Sequence, residues 1–85
     1  EVLKHRTVES AVMIEIDELM VKASRAHLPE WSDCSMLIGS APSCFNDPRS
    51  EVYYEDAIAW FIDRYTDGVN YQEEDRFDVL IMDAL

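Results

Sequence analysis

Two thiols, two imidazoles and eighteen carboxylates are the groups in this 85-residue chain best suited to chemistry. Nucleophilic catalysis needs an activated group beside a base, and Cys34, Cys44, His5 and His27 form no local arrangement of that kind. Cys34 could meet His27 only through folding. The plainer reading is a buried structural cysteine and a solvent-facing histidine at a helix end, where a protonated ring suits the C-terminal dipole. Glu-x-x-His, His-Glu-x-x-His and Cys-x-x-Cys metal spacings are absent. With Gly39 and Gly68 as the two glycines, no glycine-rich phosphate cradle can be built. These absences predict no catalytic residues, no metal, no cofactor and no enzyme.

The carboxylates offer more. From Asp63 to Glu74, Asp63, Asp67, Gly68 and Glu74 fall at positions one, five, six and twelve of a calcium-loop pattern. Tyr65 stands at position three, where an oxygen ligand belongs, and no second such loop exists to pair with it. An ordinary Asp-Gly helix stop followed by a capped helix competes with the calcium reading. On a helical wheel, Asp56, Asp63 and Asp67 share one side with Tyr53 and Trp60. Tyr53, Asp56, Trp60, Asp63 and Asp67 are therefore the expected partner-binding residues, because aromatic anchors among charges are common at interfaces. The competing reading packs Tyr53 and Trp60 beneath a loop and leaves the acids solvated.

The elements that must position these groups read as all-α, in a single domain over residues 1–85. Val8, Val12, Ile16, Leu19, Ala23 and Ala26 recur at helical spacing and predict a helix over about 7–27, capped by Thr7 and ended before Pro29. Glu18 and Lys22 form a favourable i,i+4 pair on it. Residues 29–49 hold all three prolines and both cysteines and read as an irregular connector. It has room for one short helix over Ser32 to Ile38, with a short strand through Met36, Leu37 and Ile38 as the alternative. Asp47 and Pro48 predict the start of a second helix, 48–66, with Tyr54, Ile58, Phe61, Ile62 and Tyr65 as its core stripe. Asn70 and Glu73 predict a third, 70–84, carrying Phe77, Leu80, Ile81 and Ala84. The result is a compact three-helix bundle. Ile14 with Val21, and Val79 with Met82, are left as second apolar patches, covered by the loop or by a second copy of the chain.

Composition then narrows function. Hydrophobic residues make up 48% of the chain, enough to build a core. The formal net charge is -11, which disfavours direct contact with nucleic acid or anionic lipid and favours a basic partner. Residues 1–25 hold five acids and four bases, whereas residues 26–85 hold thirteen acids against Arg49, Arg64 and Arg76. The acidity is concentrated in the later part. The longest apolar run, Ala57 to Ile62, is too short for the ~20 residues of a membrane span. The Lys4-His5-Arg6 start leads into a segment broken by acids, unlike a signal peptide. Two cysteines do not make a disulfide framework, so reduced thiols in the cytoplasm are expected, with one bridge across the Pro42 loop as the alternative.

These features predict a non-enzymatic acidic binding protein. Its leading form is an inhibitor that imitates a phosphate array and docks onto a basic protein surface of the nucleic-acid-binding kind. Phage-encoded inhibitors and nuclease immunity proteins share this size and charge, a likeness of composition alone. The other expected forms are a dimeric regulatory or structural helical module and a calcium-binding helix-loop-helix.

Overall fold

A computed structural model describes residues 1–37, 42–65 and 76–83. Two strands and two α-helices alternate along it: β1 Ala11–Ile14, α1 Glu18–His27, β2 Ser50–Tyr53 and α2 Ala57–Tyr65. Short 3₁₀ turns occupy Val2–Lys4, Pro29–Ser32 and Cys44–Asn46. The architecture is α/β, which corrects the expected all-α bundle.

The first strand has a simple local cause. Ala11, Val12, Met13 and Ile14 form an uninterrupted apolar run containing two β-branched residues, the signature of a strand in a parallel sheet. Its partner comes from far along the chain. β1 and β2 pair in parallel with Ala11 opposite Ser50, Val12 opposite Glu51, Met13 opposite Val52 and Ile14 opposite Tyr53. Backbone bonds continue past both ends, from Ala11 N to Arg49 O at 2.8 Å and from Glu15 N to Tyr53 O at 2.9 Å. Parallel strands need a long crossover, and α1 with the connector supplies it.

The predicted helix 7–27 is thus a strand, a turn and a shorter helix. Asp17, rather than Thr7, is the N-cap: its side chain accepts from the Met20 amide at 3.0 Å. The helical spacing of Val8, Val12 and Ile16 ran across a strand and a turn, because pairing with β2 satisfies the backbone that a helix would have satisfied internally. The end of the helix is as expected, at His27 before Pro29, and Lys22 meets Glu18 at 3.3 Å.

The predicted helix 48–66 divides in the same way. Asp47 is 3% exposed and does not open a helix. Its carboxylate accepts from the Arg49 amide, Nε and Nη2 at 2.9, 3.1 and 3.1 Å. Arg49 in turn donates to Val8 O at 3.3 Å and Leu3 O at 3.0 Å, which ties the N-terminal segment to the foot of β2. The helix begins only at Ala57, after Asp56 has taken the cap position. Of the predicted helix 70–84, residues 76–83 contain no helix, and the remainder lies outside the described residues.

Leu3, Val21 and Cys34 are the buried apolar residues among those described. Cys34 and Cys44 are joined in a disulfide with their Cα atoms 4.9 Å apart, so the alternative reading of the cysteines holds rather than the reduced one. A backbone bridge from Asp33 to Ser43 accompanies the bond. No helix among the described residues is long and apolar enough to cross a membrane.

Candidate functional site at the carboxyl edge of the sheet

Parallel pairing has a consequence for the acidic residues. Both strands end at the same edge, and each is followed at once by carboxylates: Glu15 and Asp17 after β1, Glu55 and Asp56 after β2. In open α/β sheets this carboxyl edge is where ligands bind, and an acid there commonly takes ribose hydroxyls.

Local hydrogen bonds shape the edge. Glu15 Oε1 accepts from the Asp17 amide at 3.0 Å, turning the chain between strand and helix. Asp17 caps α1 through Oδ1. Asp56 caps α2 through its own Oδ1, accepting from Ile58 N at 2.8 Å and Ala59 N at 3.4 Å. Each cap engages one carboxylate oxygen, while the acids themselves are exposed or half-buried. The positive ends of both helix dipoles face the same edge and steady this negative charge. Among the described residues, no three His, Cys, Asp or Glu side chains are grouped to hold a metal ion.

Tyr53 stands at the last position of β2. Its hydroxyl donates to Glu51 at 2.8 Å, and that bond to a carboxylate pushes the phenol above its ordinary value, the negative charge of Glu51 adding to the effect. The Tyr53 ring lies 6.0 Å from Trp60, and Trp60 lies 5.1 Å from Phe61 in an edge-to-face contact. Arg64 sits over Trp60 at 4.9 Å. Phe61, Tyr65, Arg76, Phe77 and Leu80 line an open hollow of about 350 Å³ beside this cluster.

The residues expected from the sequence are partly brought together. Tyr53 and Trp60 are neighbours, Asp56 is a helix cap at the sheet edge, and Asp63 is exposed on α2. Asp67 lies outside the described residues. So does most of the expected calcium loop, of which Asp63 and Tyr65 fall within α2. Ile14 lies in β1 and Val21 is buried, so they form no second patch on one helix; Val79 and Met82 are exposed. Sequence reasoning missed Glu15, Asp17 and Glu55 as a group. The available signal was an apolar run closed by an acid just before a capped helix, read twice.

Comparison with known proteins gives relatives over the whole chain. Polyamine aminopropyltransferase of Aeropyrum pernix is 43% identical over 85 residues, covering 100% of this chain and 22% of that protein. Polyamine aminopropyltransferase 1 of Hyperthermus butylicus is 41% identical over 83 residues, 98% of this chain and 23% of that protein. Polyamine aminopropyltransferase of Clostridium tetani is 38% identical over 84 residues, 99% of this chain and 24% of that protein. The chain therefore spans less than a quarter of the length of these curated relatives. No solved structure matches it.

These relatives are enzymes by name, and they overturn the expectation of a non-enzymatic inhibitor of viral or phage type. They also overturn the expected basic protein partner, since polyamines are small cationic molecules. The acidity itself stands: the formal net charge is -11. The family model for the spermine/spermidine synthase domain matches residues 1–85, and with such relatives across its whole length the chain belongs to that family.

Proposed function

We propose that this chain supplies part of the substrate site of an aminopropyl-transferring enzyme, with the carboxyl edge of the β1–β2 sheet as the binding surface. The observation that carries the reading is the parallel register, which sets Glu15 and Asp17 beside Glu55 and Asp56 at one edge. In this reading Glu15 and Asp17 hold the ribose hydroxyls of a nucleoside-linked aminopropyl donor. A carboxylate is suited to that task because it can accept from two vicinal hydroxyls at once.

Glu55 and Asp56 then attract the cationic amine. At neutral pH an alkyl amine is protonated, its ordinary pKa lying near ~10.4 by comparison with lysine. It must lose a proton before its nitrogen can attack the aminopropyl carbon, and a carboxylate at the edge can receive that proton. As the C–N bond forms, the bond from that carbon to the nucleoside breaks and the nucleoside departs with the bonding electron pair. Tyr53 and Asp56, expected from the sequence at a protein interface, stay in the proposed site with a small-molecule ligand. Trp60 backs Tyr53, whereas Asp63 and Asp67 have no part in it. A cytoplasmic location remains part of this proposal. The Cys34–Cys44 bridge runs against it, because cytosolic thiols are ordinarily kept reduced.

Titration of the chain with adenosine and, separately, with spermidine tests the reading through backbone amide shifts. Shifts clustered at residues 15–17 with the nucleoside and 53–57 with the amine are expected. Glu15→Gln should remove the first set and leave the second. Shifts centred elsewhere, or none, reject the proposed edge.

A further inference from the structure

The connector between α1 and β2 holds a feature that the binding edge does not use. α1 is lightly attached to the rest of the molecule: Val21 is its one buried residue, while Leu19 and Met20 are 77% and 60% exposed. Its C-terminal end runs directly into the Pro29–Ser32 turn, through Leu28 N to Ser24 O at 2.8 Å and Trp31 N to Leu28 O at 3.1 Å. From there the backbone reaches Cys34, whose amide donates to Pro42 O at 2.7 Å. The disulfide crosses to Cys44, which opens the turn that leads into β2. Among the described residues, the Asp33–Ser43 bridge runs beside the disulfide, and Arg25 adds a further tie, donating to Asn46 at 3.2 Å and lying 5.0 Å over Phe45, an exposed contact of modest strength.

The sheet is held in another way. Its ladder joins β1 to β2, and the buried Asp47 with Arg49 fixes the foot of β2 to Val8 and Leu3. None of these bonds passes through the disulfide.

We infer that the Cys34–Cys44 bond is a redox-operated latch: closed, it fixes α1 to the foot of β2; opened by a thiol, it frees α1 while the paired strands persist. Both cysteines border a cavity of about 380 Å³ lined also by Leu3, Lys4 and Trp31, and Trp31 on its wall is 80% exposed. Cys34 is 2% exposed, but Cys44 is only half-buried and faces this opening. A thiolate can approach one sulfur by that route, as exchange requires. A dithiol reductant attacks that sulfur, the S–S bond breaks, and a mixed disulfide forms. Its second thiol then closes the reductant's own ring, leaving two protein thiols and the oxidised reductant, with two electrons transferred. Because Asp17 caps α1, the latch also governs how firmly that carboxylate is held; the functional meaning of this consequence rests on the nucleoside reading above.

Hydrogen exchange of the chain before and after dithiothreitol tests the latch, with thiol labelling under native conditions to confirm the starting bond. Reduction should speed exchange of the amides at 20–27 by about tenfold or more and leave those at 12–14 and 51–53 within about twofold. Re-oxidation should restore the slow exchange of the helix. A Cys34→Ser, Cys44→Ser double variant should match the reduced protein and ignore dithiothreitol. Equal acceleration in helix and strands would make the bond a general staple and overturn the latch. So would unchanged exchange, or two thiols labelled before any reductant is added.

Discussion

Tyr53 combines strand and site in one side chain. Its backbone closes the ladder, its ring rests against Trp60, and its hydroxyl donates to Glu51. That last bond favours the neutral phenol, so the folded-state value lies above the unfolded one. The stability it contributes is therefore full below the unfolded phenol's value and is lost as pH rises through the folded value. Spectrophotometric titration should show a late tyrosine phase, above the ordinary phenol range. Glu51→Gln should bring that phase down and remove its share of the alkaline loss of stability. If the late phase survives Glu51→Gln, the bond is not its cause. Asp47 shows the opposite economy of a buried charge: it is almost fully enclosed, and three hydrogen bonds from Arg49 satisfy it.

At the scale of the element, the acid that opens each helix has a structural role and a proposed one. Asp17 caps α1 through Oδ1, and in the proposed reading its second carboxylate oxygen serves the nucleoside. The two roles can be separated. Asp17→Ala should cost about 1 kcal/mol of stability through the lost cap, whereas Asp17→Ser should restore most of it. Nucleoside binding should be weakened in both, because serine supplies a cap but no carboxylate. Urea unfolding and nucleoside titration of the two variants check this, and full binding by Asp17→Ser would remove Asp17 from the proposed site. The same turns explain what could be read from the sequence. The end of α1 before Pro29 and the Glu18–Lys22 pair were legible because both are local. The strands were not, because Ala11 pairs with Ser50, 39 positions further along. A window of helical length sees Val8, Val12 and Ile16 as one stripe and cannot see the ladder that replaces it. Tyr53, Asp56 and Trp60 stood out as residues, but on the supposition of a continuous helix face. Which edge they share depends on parallel pairing, and no local pattern carries that.

Across the whole molecule, a net charge of -11 suits a polycationic ligand as well as a basic protein, and the proposed function takes the former. Charge alone would give a diffuse attraction, spread over every acid and screened within a Debye length of ~10 Å at 0.1 M salt. A built site would concentrate it. Raising salt from about 0.05 to 0.3 M should weaken spermidine binding several-fold and leave the uncharged nucleoside nearly unaffected. Two single-charge removals separate field from site. Glu55 follows β2 at the carboxyl edge, whereas Asp63 lies within α2, two turns beyond its Asp56 cap. Each substitution, Glu55→Gln or Asp63→Asn, changes the net charge by the same amount, so a diffuse field predicts equal losses. The edge reading predicts a much larger loss for Glu55→Gln, measured by calorimetry at one salt concentration. Equal losses would leave the acidity of this chain as an attractive field without an address at the sheet edge.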